Sequence, residues 1–576
     1  MSSSIRPAVA GLITVVLALG LALAGLRPAP AAAAAAEPVW TQTTITTPDG
    51  ITLLTDVLHP ADMPAEDGPR PVLLIVSPYL GDESGTDWSK RFTDFFNGTY
   101  DGEGLFANGW SVVQVHTRGT SGSTGCLDIL GVGEQTDIVT AVEWVDDQPW
   151  ADGIAMYGKS YDANTGAAAL ANNPVGLDAV IAQAIGPDRY RATHNDRVRL
   201  LQSLAYPATY RLSGEANMST ASDPEYSLNA LTHTAYCSPD EVNHFRDDET
   251  IPFWTIRDFP ERTAALGTTI PTFITAGYLD NATNIGGGAL DLFNALEGPK
   301  HLWIGWWDHV RGNDTIGTCD QYSEACTFAM GRDSWFAETT AFLERHVKGT
   351  PLADLPDYPD YTVAAQTSDG TWRSEESLPA ADTVFTDMPL RGGVYVDDGT
   401  GRGSADSSLG AGGVLSTGSL TDGVWTFGEP YTARTQLAGI PVATMLIDPT
   451  LPRANVVVNL YDVAPDGRAT MITRGAGMVD AQGTEVITMW PTDWVFEPGH
   501  RLAVRVSDAN TENYIHVPTN ADVQVVSGQV ELPMLPSARV SDLAGDTAPR
   551  LDSYRQRAPF DVSSLLVAQT LSSFLR

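Results

Sequence analysis

Six stretches of the chain are apolar with hardly a break: Pro71 to Ser77, Ser111 to His116, Gly153 to Tyr157, Leu177 to Gln183, Ile270 to Ala276 and His301 to Trp306. Runs this short, ended by Gly, Pro or Asp, are what strands buried on both faces look like. Between them fall helical patterns at Glu134 to Gln148, Asn164 to Asn172, Gly288 to Leu296 and Arg332 to Lys348. Strand and helix in alternation predict a parallel sheet covered by helices. Ahead of it, Glu37 to Leu58 alternates around Asp49-Gly50 and predicts a β-hairpin.

The rhythm breaks twice. Residues 188–262 are rich in Arg, Tyr, His and Asn at helical spacing, with no clear strand. An insertion here lies above the carboxyl ends of the strands, where α/β proteins bind ligands, and predicts a helical cap. From Pro351 to about residue 560, short alternating segments separated by Gly, Pro, Asp and Asn predict a β-sandwich. The fold class is therefore α/β followed by all-β. Its α/β unit comprises 37–187 and 263–350, and 561–576 forms either a short amphipathic helix or a tail.

The first 36 residues stand apart. Arg6, an apolar run from Ala8 to Gly25 and an alanine tract ending before Glu37 have the layout of a secretory signal peptide. No second apolar span follows, so the expected mature chain is extracellular and free of the membrane. Its removal takes Arg6 and Arg27 and no acid, moving the net charge from −37 to −39. So acidic a surface excludes a nucleic-acid partner, whose phosphates require a basic patch. Four cysteines in an exported chain read as disulfides. Of three pairings, the short spacing favours Cys319 with Cys326, leaving Cys126 with Cys237. No cluster with metal-ligand spacing is present, and neither a metal nor a cofactor is expected.

Chemistry concentrates where the third apolar run turns into the alanine-rich pattern, at Gly158-Lys159-Ser160-Tyr161-Asp162. A serine between a buried strand and a helix start, with glycine two residues earlier, has the layout of a nucleophile elbow, although the same serine could simply cap the helix. Serine needs a base, and the base needs an orienting acid. In this architecture they follow in the order Ser, acid, His, each at a strand's carboxyl end. His309 ends one run and Asp280 the run before it. Asp308 is the neighbour of His309 and could not easily reach its ring. The amide of Tyr161 supplies one oxyanion donor, and Tyr79, at the end of the first run, either packs there or supplies a second.

Ser77-Pro78-Tyr79, Thr117-Arg118-Gly119, Ser123-Thr124-Gly125, Glu143-Trp144, Gln148-Pro149-Trp150, Gly158 to Asp162 and Trp307-Asp308-His309 together resemble the Xaa-Pro dipeptidyl-peptidase and cocaine-esterase type of serine hydrolase. The resemblance runs from about Trp40 to Pro536. It implies an α/β-hydrolase domain, a helical cap and a C-terminal jelly roll, with Ser160, Asp280 and His309 as the triad. It also implies Tyr79 and Tyr161 as the oxyanion hole. One departure is Ala163, where the family usually has glycine.

The resemblance implies release of Xaa-Pro dipeptides from peptide N-termini, with carboxylic ester or acyl hydrolysis as the alternative. A catalytically silent binding protein is a third reading, against which all five catalytic groups stand. A peptidase of this kind needs an acid for the substrate amine; Asp188, Asp196, Glu215, Asp223, Glu225 and Asp258 are available. Tyr190, Trp254 and Asp258 are the substrate-binding candidates.

Overall fold

The structure, a computed structural model, describes residues 39–61, 68–80, 104–206, 210, 237, 239–283, 285–317, 326–406 and 418–574. The expected signal peptide and Cys319 lie outside the described residues, as do Glu215, Asp223 and Glu225.

The N-terminal unit is built on one ten-stranded sheet. In chain order its strands are β1 (Val39–Thr46), β2 (Thr52–His59), β3 (Arg70–Ser77), β4 (Ser111–His116), β5 (Ala151–Lys159), β6 (Leu177–Gln183), β7 (Thr272–Gly277), β8 (Lys300–Gly305), β9 (Val363–Gln366) and β10 (Trp372–Glu375). Across the sheet the order is β1-β2-β4-β3-β5-β6-β7-β8-β9-β10. From β4 to β9 neighbouring strands run parallel, while β1, β2 and β10 pair antiparallel at the edges.

The unbroken apolar runs have a direct cause. Along β3, Val72, Leu74 and Val76 enter the core on one face, and Leu73 and Ile75 the core on the other. Helices α1 (Val132–Asp146), α2 (Tyr161–Leu170), α3 (Phe259–Leu266), α4 (Ala289–Ala295) and α5 (Trp335–His346) flank the sheet. This is the α/β-hydrolase arrangement.

Two all-β sheets follow. A seven-stranded sheet surrounds the long strand Asp522–Met534, which pairs with Val384–Leu390, Gly393–Val396, Thr435–Gly439 and Val442–Pro449. The second has five strands, ordered Val424–Phe427, Arg501–Ser507, Ala454–Val463, Arg468–Val479, Phe560–Asp561. Trp425, Trp490 and Trp494 are buried here, so none offers a flat face to a sugar.

Two expectations need amendment. The sandwich does not begin at Pro351, because β9 and β10 complete the edge of the first sheet; Val363, Ala364 and Ala365 are wholly buried there. A four-residue apolar run carries no periodicity to tell one sheet from the other. Within residues 535–560 a helix, α6 (Pro549–Arg557), stands where strands were expected; only Leu551 and Tyr554 of it are buried, too few for a visible pattern. Of the two readings of the C-terminal segment, the helix is found, as α7 (Ser563–Phe574).

The cap, so far as it is described, is less helical than its spacing predicts. Besides α3 it contains the single turn Pro252–Thr255, two 3-10 segments and a minimal hairpin, His194–Asn195 with Val198–Arg199. The hairpin leans on the C-terminal unit, where Asn195 Oδ1 accepts from the Ala476 amide at 2.8 Å and the Tyr514 hydroxyl at 3.1 Å. Among the described residues no helix is long and apolar enough to cross a membrane.

Several histidines are buried as neutral bases. His301 hydrogen-bonds Tyr361 O at 2.7 Å and the Tyr358 hydroxyl at 3.2 Å, and His346 meets the same hydroxyl at 2.8 Å. Burial lowers both to about 4. In the cap, burial and then Arg199 lower His194 to about 3. Unfolded, each titrates near 6.5, so below that pH the unfolded chain binds more protons than the folded one. Their stabilisation is full above pH 6.5 and is lost as pH falls towards about 4. Relative to His301→Gln, the urea midpoint of the native protein should therefore fall from pH 6.5 to 4, and a difference between the two that stays constant over that range would contradict this assignment.

Candidate active site

β5 delivers Ser160 to the start of α2 through a turn that few residues can make. Ser160 has φ 62° and ψ −118°, a left-handed backbone that an L-residue rarely adopts. Its amide is tied to Gln183 O at 2.9 Å. No side-chain cap hydrogen bond comes from Ser160, so it does not serve α2 as an N-cap. The turn closes only because residue 158 is glycine. A Cβ there would lie 2.3 Å from the backbone carbonyl atoms of Asp162. Ala163, the departure from the family pattern, is fully buried against this turn.

At the ends of the next strands, Asp280 follows β7 and His309 follows β8. Asp280 Oδ2 lies 2.9 Å from His309 Nδ1. An ionised carboxylate can only accept, so Nδ1 carries the proton and Nε2 is left as the base. The carboxylate also accepts from the Thr283 hydroxyl at 2.7 Å and from the amides of Ala282 and Thr283 at 2.8 and 3.2 Å. Burial would raise its pKa, but the charge and hydrogen bond of His309 and the Thr283 bonds outweigh burial and hold it below the usual value. Asp308 turns away, half exposed, towards Arg550 at 3.7 Å.

Tyr79 stands across from them, its hydroxyl hydrogen-bonded to Ser160. Burial, then the neighbouring Tyr210 and Asp162, push this phenol well above 10, so it remains a neutral donor. Tyr161 is the first residue of α2, and no earlier helical carbonyl can take its amide proton. Its ring is fixed from behind, with the hydroxyl donating to Glu134 Oε2 at 2.6 Å. Tyr79, Tyr161 and Tyr210 form an aromatic wall with centroids 4.7 to 6.3 Å apart.

Two supports were not evident from the sequence. Glu134 is fully buried and raised to about 8 by burial and by Asp128, against the pull of the Tyr161 hydroxyl. It is an acid on the buried side of α1, a signal that helical spacing alone could have flagged. Gln183 accepts the Ser160 amide through its carbonyl and the Gly312 amide through Oε1 at 2.8 Å, and its Nε2 donates to the Tyr157 hydroxyl at 2.9 Å. One residue, through its backbone and its side chain, thus links the elbow to the loop that carries His309.

The cap candidates each have partners within the cap. The Tyr190 hydroxyl donates to Asp247 O, Trp254 donates to Arg246 O, and Asp258 caps α3 by accepting from the Glu261 amide at 3.0 Å. His116, at the end of β4, is buried against Asp56 at 2.9 Å. Cys126 and Cys237 are joined, tying the loop after β4 to the cap, and Cys326 is also disulfide-bonded.

This geometry makes two outcomes measurable. With the Tyr79 hydroxyl as an oxyanion donor, Tyr79→Phe should lower kcat about 10² to 10³-fold with little change in KM, and an unchanged kcat would refute that role. Gly158→Ala forces the elbow apart. It should cost about 1–3 kcal/mol of stability in chemical denaturation and abolish turnover, whereas a fully active variant would refute the packing described.

Comparison with known proteins agrees with this layout. The pattern of the X-Pro dipeptidyl-peptidase (S15 family) matches residues 49–311, and that of the X-Pro dipeptidyl-peptidase C-terminal non-catalytic domain matches residues 354–549. Cocaine esterase of Rhodococcus sp. (strain MB1 Bresler) is 26% identical over 544 residues, spanning 81% of this chain and 90% of that protein. An aminopeptidase from a marine sediment Thaumarchaeota archaeon superposes with a TM-score of 0.63 at 18% identity, covering 89% of this chain and 99% of its own. A CocE/NonD family hydrolase from Staphylococcus aureus superposes with a TM-score of 0.62 at 14% identity, covering 86% and 94%. With the elbow, the Asp–His pair and both matched patterns in one chain, the protein belongs to the X-Pro dipeptidyl-peptidase and cocaine-esterase family of serine hydrolases.

Proposed function

We propose that this protein is an exported serine hydrolase that cleaves carboxylic esters through an acyl-enzyme on Ser160. The observation that carries the reading is the strained Ser160, bonded to the Tyr79 hydroxyl; the Asp280–His309 pair, after two further strands of the same sheet, supports it. His309 Nε2 takes the Ser160 proton as Oγ attacks the carbonyl carbon. The oxyanion is held by the Tyr79 hydroxyl and the Tyr161 amide. Collapse breaks the C–O bond, and the proton passes from His309 to the departing alcohol. Water, deprotonated by the same imidazole, then attacks the acyl-enzyme, releasing the acid and restoring Ser160.

Ester rather than Xaa-Pro amide cleavage is supported by what the cap acids among the described residues do. A dipeptidyl-peptidase must hold a protonated amine with a carboxylate. Asp188 accepts from the Arg191 amide at 3.0 Å, Asp196 adjoins Arg197 and takes a backbone hydrogen bond from Met478, and Asp258 caps α3. The matched family pattern and the Gly158-Lys159-Ser160-Tyr161 motif favour the peptidase as the second reading. Export is supported by the signal-like N-terminus and by the Cys126–Cys237 disulfide, which an oxidising compartment preserves.

The test compares kcat/KM on a short-chain aryl ester and on an Ala-Pro anilide. Ester turnover with little anilide turnover is expected, and Ser160→Ala should lower it by about 10⁴ to 10⁶-fold. Preference for the anilide would install the peptidase reading instead, and activity surviving in Ser160→Ala would refute the acyl-enzyme.

A further inference from the structure

Beside the tyrosine wall, next to Tyr206, lies a cation with two donors left over. Arg189 is 1% exposed, yet its Nε and Nη2 have no hydrogen-bond partner among the described residues. Two other buried arginines show the contrast. Arg257 donates to the carbonyls of Ile129, Phe253 and Asp128, and Arg118 is bonded to Asp137 and Asp49. The nearest acid in the chain, Asp188, is turned to the amide and side chain of Arg191 instead. Leaving a guanidinium buried and unpaired is costly, because desolvation is not offset by an acceptor.

Its surroundings say what is missing. Nε and Nη2 form one edge of the guanidinium, the edge whose two parallel N–H bonds match the two oxygens of a carboxylate. Arg189 Cζ stands 5.9 Å from the centre of the Tyr206 ring, and the Tyr206 hydroxyl is itself buried without a partner. The Arg189 charge is felt at both the Tyr79 and Tyr206 hydroxyls. Three unused donors therefore sit on the oxyanion side of Ser160, closed off from bulk water, where a charge-assisted bond is strong.

We infer that Arg189 and the Tyr206 hydroxyl form a subsite for a carboxylate carried by the acyl part of the substrate. The leaving group departs towards its proton donor, His309, whereas Arg189 adjoins the tyrosines that face the acyl carbonyl. The specificity rests on the proposed acyl-enzyme mechanism at Ser160. It narrows the substrates to half-esters of short dicarboxylic acids and chemically similar acyl groups.

The experiment uses the mature protein with two esters of equal length, 4-nitrophenyl hydrogen glutarate and 4-nitrophenyl valerate. The native enzyme should prefer the glutarate ester, and Arg189→Met should reduce the glutarate-to-valerate ratio of kcat/KM by about 100-fold or more. Free glutarate should raise the Tm of the native protein and leave that of Arg189→Met unmoved. Because the substitution removes an unpaired buried charge, the variant should fold with an undiminished Tm; one that fails to fold would refute the unpaired state.

A native enzyme indifferent to the carboxylate would overturn the subsite. So would a variant in which both esters slow by one factor with the ratio intact, the mark of a guanidinium that only supports the oxyanion tyrosine. Turnover of either ester by Ser160→Ala would refute the underlying mechanism instead, leaving the two failures distinct.

Discussion

Everything at the site depends on one backbone conformation. Ser160 occupies φ 62° and ψ −118°, which the polypeptide adopts only under constraint from both sides. Behind it, the hydrogen atom of Gly158 leaves room for the carbonyl of Asp162. Ahead of it, the first turn of α2 is clamped, with Tyr161 anchored to Glu134 and Thr165 donating to Val76 O at 3.0 Å. Relaxing any of these would let Ser160 fall into an ordinary helix start, with its hydroxyl drawn towards α2 rather than held beside Tyr79.

A second layer of polar contacts converts this local strain into a defined site. Gln183 ties the serine backbone to the loop bearing the histidine, and the Thr283 hydroxyl with two amides fixes the carboxylate that orients the ring. The C-terminal unit reaches the same place. Arg474 lies 3.6 Å from the centre of the Trp490 ring and donates to Asn281, next to Asp280, at 3.2 Å. Trp306, at the end of β8, donates to Asp493 O at 3.0 Å.

Much of this architecture is legible in the residue pattern because its cause is simple. A strand buried on both faces has no polar side, so β3 to β8 announce themselves as apolar runs, and side chains at their carboxyl ends can be proposed for chemistry. The pattern fails where burial is achieved without periodicity. Val363-Ala364-Ala365 is too short to declare its sheet, and α6 buries two side chains among many charges. The cap is opaque for a different reason. Tyr190 and Trp254 look like pocket residues by composition, but they pack with His194 into an aromatic cluster of their own. Arg189, sitting among the polar residues of that same stretch, has no sequence signature separating it from a solvated arginine.

The two strands that close the first sheet bear on what the two matched halves of this protein are. β9 lies beside β8, and β10 carries Arg373, whose Nη1 lies 2.6 Å from Asp493 within the C-terminal unit. The segment that completes one unit is thus held by an ion pair to the other. A cut at residue 351 would expose the β8 edge and leave β9 and β10 without the sheet they complete. The hydrolase and its β companion are therefore not autonomous modules joined by a tether, but parts of one cooperative folding unit whose seam runs through a shared polypeptide rather than between two finished surfaces.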